Sequence, residues 1–166
     1  ITVSAGNSTI DGGAGSGDTV VFGNAGGQTL HVRNVEVVTG GSGADVLILD
    51  SSGSSISVAN VETITGSSGD DSITVTAGHS AIFAGSGNDT LVGGSGDDTL
   101  AGGAGVDTLN LSNGGSDTVV LTAHSGVNGL DTINGFTNGT TSGSSDVLKF
   151  TDIVGGYEAG GAAFSG

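Results

Sequence analysis

Five stretches of nine residues, laid end to end, set the terms on which this chain can fold. They read Gly66-Ser-Ser-Gly-Asp-Asp71-Ser-Ile-Thr, Val75-Thr-Ala-Gly-His-Ser80-Ala-Ile-Phe, Ala84-Gly-Ser-Gly-Asn-Asp89-Thr-Leu-Val, Gly93-Gly-Ser-Gly-Asp-Asp98-Thr-Leu-Ala and Gly102-Gly-Ala-Gly-Val-Asp107-Thr-Leu-Asn. The eighth place is always aliphatic: Ile73, Ile82, Leu91, Leu100 and Leu109. The sixth is Asp except at Ser80. A strict period of this length is the mark of a solenoid, in which each unit buries its apolar residue only by stacking on the next. The period continues with blemishes on both sides. Gly40-Gly-Ser-Gly-Ala-Asp45-Val-Leu-Ile is a near-complete unit, and Gly13 to Val21, with Asp18, is a looser one. Asn34-Val-Glu-Val-Val-Thr39 and Asn60-Val-Glu-Thr-Ile-Thr65 keep the aliphatic but put Glu for Asp. One extra residue before Asp117 shifts the last unit, and past Val119 the period is lost.

Each unit has a direct conformational reading. Six Gly-rich residues turn through positive φ at little steric cost, and three residues such as Thr90-Leu-Val make a short strand with the aliphatic inward. Two units complete a coil of eighteen residues, and coils stack at the ordinary strand spacing of about 4.8 Å. The expected fold is all-β: a parallel β-roll or β-helix solenoid over 1–120, most regular at 66–120, followed by a C-terminal capping β segment over 121–166. In that segment Leu130-Asp-Thr-Ile-Asn-Gly-Phe136 and Asp146-Val-Leu-Lys-Phe150 read as two strands covering the open end, with a flexible loop at 137–145 between them.

Such a roll is poorly held by its core. Thirty-five glycines are about three times the usual share and raise the entropy lost on folding. One Tyr, five Phe and no Trp leave little for an aromatic core, and there is no Cys for a disulfide. Each coil buries two aliphatics, worth about 2–3 kcal/mol each, against ordering costs of roughly 1–2 kcal/mol per residue. The charge points to the missing staple. Seventeen acidic residues face two basic ones, for a net charge of −15. That balance disfavours nucleic acid and anionic membrane surfaces and favours a multivalent cation. No apolar run is long enough to span a membrane. The chain starts at Ile1 with no Met anywhere, and reads as a segment of a longer protein.

Turns eighteen residues apart should lie on one edge, so Asp71, Asp89 and Asp107 form one column. Asp98 belongs to the other, with Ser80 below and Asp117 above. Carboxylates and exposed turn carbonyls make an all-oxygen cage, which suits Ca²⁺ better than Mg²⁺, Zn²⁺ or Cu²⁺. His31, His79 and His124 fall on no ligand spacing. These units resemble the repeat-in-toxin (RTX) region of Gram-negative proteins exported by type I secretion. The resemblance is strong over 66–120 and fair over 13–65. It implies ions held by the second and fourth carbonyls and the Asp of one turn, with the first and third carbonyls and the Asp of the turn one coil later. One site then joins Gly85, Gly87 and Asp89 to Gly102, Ala104 and Asp107. A second joins Ser67, Gly69 and Asp71 to Ala84, Ser86 and Asp89. A third joins Gly94, Gly96 and Asp98 to Ser112, Gly114 and Asp117. Asp45 is a further candidate ligand, and the turn at Ser80 should bind weakly or not at all.

An acidic ladder can also be merely a solvated face, but solvation does not require Asp to stay in phase with glycines and an aliphatic. No Gly-x-Gly-x-x-Gly, Walker-type loop or Gly-x-Ser-x-Gly elbow occurs, so neither nucleotide binding nor catalysis is expected. Arg33 is expected to pair with Glu36 or Asp45, and His79 to sit exposed in a turn. The resulting expectation is a secreted or cell-surface structural module of a Gram-negative bacterium, folded and assembled by several Ca²⁺ ions. It fits a surface-layer (S-layer) protein able to assemble into a lattice. The alternative is the secretion and folding tail of an RTX toxin, adhesin or hydrolase whose activity lies upstream.

Overall fold

A computed structural model describes residues 1–4, 8–23, 26–122, 129–138 and 145–151. Its first eight strands are β1 (Thr2–Val3), β2 (Ser8–Asp11), β3 (Thr19–Phe22), β4 (Thr29–Arg33), β5 (Val37–Thr39), β6 (Val46–Leu49), β7 (Ser55–Ala59) and β8 (Thr63–Thr65). The rest are β9 (Ser72–Ala77), β10 (Ala81–Ser86), β11 (Thr90–Val92), β12 (Thr99–Ala104), β13 (Thr108–Asn110), β14 (Thr118–Thr122), β15 (Thr132–Asn134) and β16 (Val147–Thr151). Odd-numbered strands form one eight-stranded sheet and even-numbered strands another, each in chain order. Every pairing between these strands is parallel, and no helix occurs among the described residues. The chain is therefore an all-β parallel solenoid with two strands per coil, consistent with a β-roll.

The eighth-position aliphatics make the core, as the period requires. In the even sheet Leu30, Leu47, Ile64, Ile82, Leu100 and Val119 pair in unbroken register. In the odd sheet Ile56, Ile73, Leu91 and Leu109 do the same. All these residues are buried, while their strand neighbours face outward, giving the period-two alternation seen in β6. The regular coils repeat every eighteen residues, so that Leu91 pairs with Ile73 on one side and Leu109 on the other.

Stacking tolerates unequal coils. The residue inserted before Asp117 is absorbed in a tight turn at Ser112–Asn113, and Thr118 still pairs with Thr99. Beyond it, β15 pairs with β13 and β16 with β14, so both strands extend the same two sheets. Residues 139–144 of the expected loop, 152–166 of the expected cap, and His124 lie outside the described residues.

At some turns, backbones approach too closely for any side chain. At Gly103 φ is +109°, and a methyl group there would strike the Gly85 carbonyl one coil below. The two Asn-Val-Glu stretches solve the corner differently. Asn34 and Asn60 take left-handed φ of 53° and 54°, which Asn tolerates better than most residues, and the following Val35 and Val61 turn into the core.

Candidate metal centre

The Gly-rich turns carry the sixth-position side chains to the two edges of the roll, where they form two ladders. On one, the Asp71 N–H donates to Asp89 Oδ1 at 2.8 Å and the Asp89 N–H to Asp107 Oδ1 at 2.9 Å. On the other, the Ser80 N–H donates to Asp98 Oδ1 at 2.7 Å and the Asp98 N–H to Asp117 Oδ1 at 2.8 Å. Thus each carboxylate reaches back one coil to a main-chain donor. Both columns have the membership expected from the nine-residue period.

They also run further than the period shows. The Asp107 N–H donates to Asp131 and the Asp117 N–H to Asp146, across 24 and 29 residues of chain. Toward the N-terminus, Glu36 Oε2 accepts from the N–H groups of Gly17 and Asp18, and Glu62 Oε2 accepts from Asp45. The sequence reading missed Asp131 and Asp146 as ladder members. Their signal was the Asp-Thr-Ile-Asn run at 131–134 and the Asp-x-Leu at 146–148, hidden by the unequal spacing.

The second carboxylate oxygen divides the ladder. Asp45 Oδ2 accepts from the Gly41 N–H at 2.8 Å. Asp71 Oδ2 accepts from the Ser67 N–H at 2.8 Å and its hydroxyl at 3.0 Å, and Asp146 Oδ2 accepts from Thr137 in the same two ways. By contrast, the Oδ2 atoms of Asp89, Asp98, Asp107 and Asp117 are buried and have no hydrogen-bond partner. A buried carboxylate oxygen left bare costs several kcal/mol unless a cation or proton meets it. The carboxyls register that cost. Burial above all, then the neighbouring carboxylates of Asp107 and Asp71, push Asp89 up to about 6. Burial, reinforced by Asp117, does the same to Asp98. Asp107 and Asp117 are raised too, again chiefly by burial.

The donor set fits Ca²⁺. Among the described residues no three His, Cys, Asp or Glu side chains gather at one point, so any cage here is built from paired carboxylates and turn carbonyls. Gly102 lies hard against the Oδ2 of its own Asp107, and Gly93 lies near that of Asp98, so the first turn position borders the bare oxygen. Gly85 pairs with Gly103 and Ser86 with Ala104, which stacks the turns that end in Asp89 and Asp107. On the other edge Gly115 packs on the Gly96 carbonyl, so the inserted residue leaves the turn before Asp117 in phase. Of the candidate carbonyls, Ser67 accepts the Ser86 N–H at 3.2 Å and Ala104 the Gly87 N–H at 2.9 Å. Each keeps one lone pair for a further partner.

One expectation about charged side chains changes. Arg33 pairs with Asp11, Nε to Oδ2 at 2.9 Å, and not with Glu36 or Asp45. The coil there is longer, and sheet register sets Asp11 directly beside Arg33. Asp45 is buried and committed to the Gln28 and Gly41 N–H groups. His79 is exposed, as expected, and its Nδ1 accepts the Asp97 N–H at 2.8 Å.

The family model of the RTX calcium-binding nonapeptide repeat (4 copies) matches residues 59–91, 76–109 and 83–119. No curated protein matches the chain. The matched stretches contain all four carboxylates with a bare Oδ2. Sequence match and parallel solenoid together support an RTX calcium-binding β-roll region within this chain.

Proposed function

We propose that the chain is an extracellular structural module whose folding and assembly are driven by Ca²⁺, and that it serves in an S-layer protein. The observation that carries the Ca²⁺ part is the run of four successive turns in which a buried Asp leaves one oxygen unmet. Two sites fit best. Gly85, Gly87 and Asp89 with Gly102, Ala104 and Asp107 hold one ion; Gly94, Gly96 and Asp98 with Ser112, Gly114 and Asp117 hold another. Each pairs two bare carboxylates. The site of Ser67, Gly69, Asp71, Ala84, Ser86 and Asp89 is weaker, because Ser67 already holds Asp71 Oδ2. Asp45 contributes least for the same reason. The ion supplies countercharge and cross-links adjacent coils. At low free Ca²⁺ the bare carboxylates of Asp89, Asp98, Asp107 and Asp117 disfavour closure of their turns, and at millimolar Ca²⁺ outside the cell mass action favours the folded state.

The lattice role is supported by composition: high Gly, almost no Lys, no Cys and no Met. No helix of the described residues is long and apolar enough to cross a membrane. Calorimetric titration with Ca²⁺ and Mg²⁺ tests the sites, and electron microscopy of the Ca²⁺-loaded chain tests assembly. Ordered sheets or fibres support the S-layer reading. A Ca²⁺-loaded monomer at all concentrations rejects it in favour of a secretion and folding tail.

A further inference from the structure

The ladder changes character near residue 80, and the change separates turns whose buried carboxylates are met by donors from turns whose carboxylates are not, although the Gln28 side-chain amide in the first stretch is also buried without a partner. We infer that the solenoid consists of two blocks: an N-terminal block up to about residue 77 that forms without a cation, and a cation-dependent block from about residue 85 onward that is templated on it. This inference rests on the Ca²⁺ reading above and concerns where in the chain that dependence lies.

Three independent features coincide in the first block. Its buried carboxylates, Asp45 and Asp71, have both oxygens met by hydrogen-bond donors: Gln28 and Gly41 for the former, Ser54 and Ser67 for the latter. Two of its corners replace the six-residue Gly-rich turn by three residues, Asn-Val-Glu, closed by an apolar plug. Val35 is 5% exposed and Val61 0%. Left-handed Asn34 and Asn60 set the bend, and the Ser80 hydroxyl donates to the Val61 carbonyl at 2.7 Å, tying the next coil to that corner. Finally, the remaining acidic ladder members there, Glu36 and Glu62, are half-buried and exposed, so water shares their charge.

None of this holds in the second block. No corner of the Asn-Val-Glu kind occurs among its described turns; the residue before each Asp (Asn88, Asp97, Val106 and Ser116) is exposed, as Ala44 and Asp70 are in the first block, but here each Asp is buried with a bare oxygen. The bare stretch is bounded on both sides, by Asp71 and Ser80 below and by Asp146, closed by Thr137, above. In a linear array each coil gains stability mainly from its neighbours. A preformed N-terminal block offers β8 and β9 as ready edges for β10 and β11, so the cation-binding coils dock on an existing coil and skip the nucleation step.

Hydrogen–deuterium exchange on the full chain, in chelator and in millimolar Ca²⁺, tests this. Amides of 29–65 should be protected equally in both. Amides of 85–122 should exchange fast in chelator and roughly a hundredfold slower at a hundredfold excess of Ca²⁺ over Kd. Asp107→Asn should reduce the Ca²⁺ response of 85–122 and leave 29–65 protected in chelator. Val61→Ser should lower protection of 29–65 in both conditions. If 29–65 exchanges as fast as 85–122 in chelator and both respond to Ca²⁺, the two-block division is wrong and the Ca²⁺ reading stands. If no segment responds to Ca²⁺, both fail.

Discussion

Replacing Asp89 by Asn should move stability in opposite directions with and without Ca²⁺. In chelator at neutral pH the wild-type carboxylate is ionised, buried, and flanked by Asp71 and Asp107, and its pKa stands at about 6 against an ordinary 3.8. About two units of upward displacement correspond to roughly 3 kcal/mol of penalty, which water at the edge of the roll reduces to about 1–2 kcal/mol. Asn keeps the acceptor that meets the Asp71 N–H at 2.8 Å and removes the charge. The variant should therefore shift the folding equilibrium of the 85–122 block toward the fold by about 1–2 kcal/mol when metal is absent. With Ca²⁺ the sign reverses, because Asp89 belongs to two of the proposed sites. A ligand at a hundredfold excess over its Kd stabilises by about 2.7 kcal/mol per site, so loss of the Asp89–Asp107 site costs about that much and the weaker Asp71–Asp89 site adds little. Asp11→Asn is the control. Asp11 is an exposed residue, with its carboxyl held below the usual range chiefly by the Asn34 amide and the Gly13 N–H, and its loss should have little effect in either condition. Urea titrations followed by circular dichroism read all three. A fall in stability for Asp89→Asn in chelator, or an equal effect of Asp11→Asn in Ca²⁺, would refute the reasoning.

Acid should partly replace the metal. Because Asp89 and Asp98 titrate higher in the fold than in the unfolded chain, the stability they confer when protonated is full below about pH 4 and lost as pH rises through about 6. In chelator, the unfolding midpoint should thus climb on acidification across that window, and a flat profile counts against bare carboxylates. Asp71→Asn should destabilise by about 1–3 kcal/mol with or without Ca²⁺, because donors hold both oxygens; thermal melts in the two buffers compare them. Gly103→Ala should cost at least about 2 kcal/mol by the same melts, from its φ of +109° and the collision with the Gly85 carbonyl.

Much of this fold is legible in the sequence because one period serves two purposes. Position eight needs an aliphatic to build the core and position six an Asp to build the ladder, so Leu91 and Asp89 announce strand and turn together. The shift before Asp117 was readable for the same reason. What escaped the reading is whatever stacking permits outside the period. Asp131 and Asp146 hold ladder positions although 24 and 29 residues of chain, not eighteen, separate them from Asp107 and Asp117. Arg33 meets Asp11 through sheet register, not through nearness in sequence. Val35 and Val61 resemble ordinary strand valines until the left-handed Asn before each turns it into the core. Nor does the nonapeptide tell Asp71 from Asp89. Only the Ser67 amide and hydroxyl on Asp71 Oδ2 make that distinction, and they separate a closed turn from an open one.

The most direct measurement is far-ultraviolet circular dichroism of the full chain during a Ca²⁺ titration, with Mg²⁺ as control. Strand signal should start partial in chelator, rise cooperatively with Ca²⁺ and stay unchanged with Mg²⁺, which does not readily give up its waters for a large carbonyl cage. Full strand signal in chelator, or an equal response to Mg²⁺, would contradict Ca²⁺-driven folding.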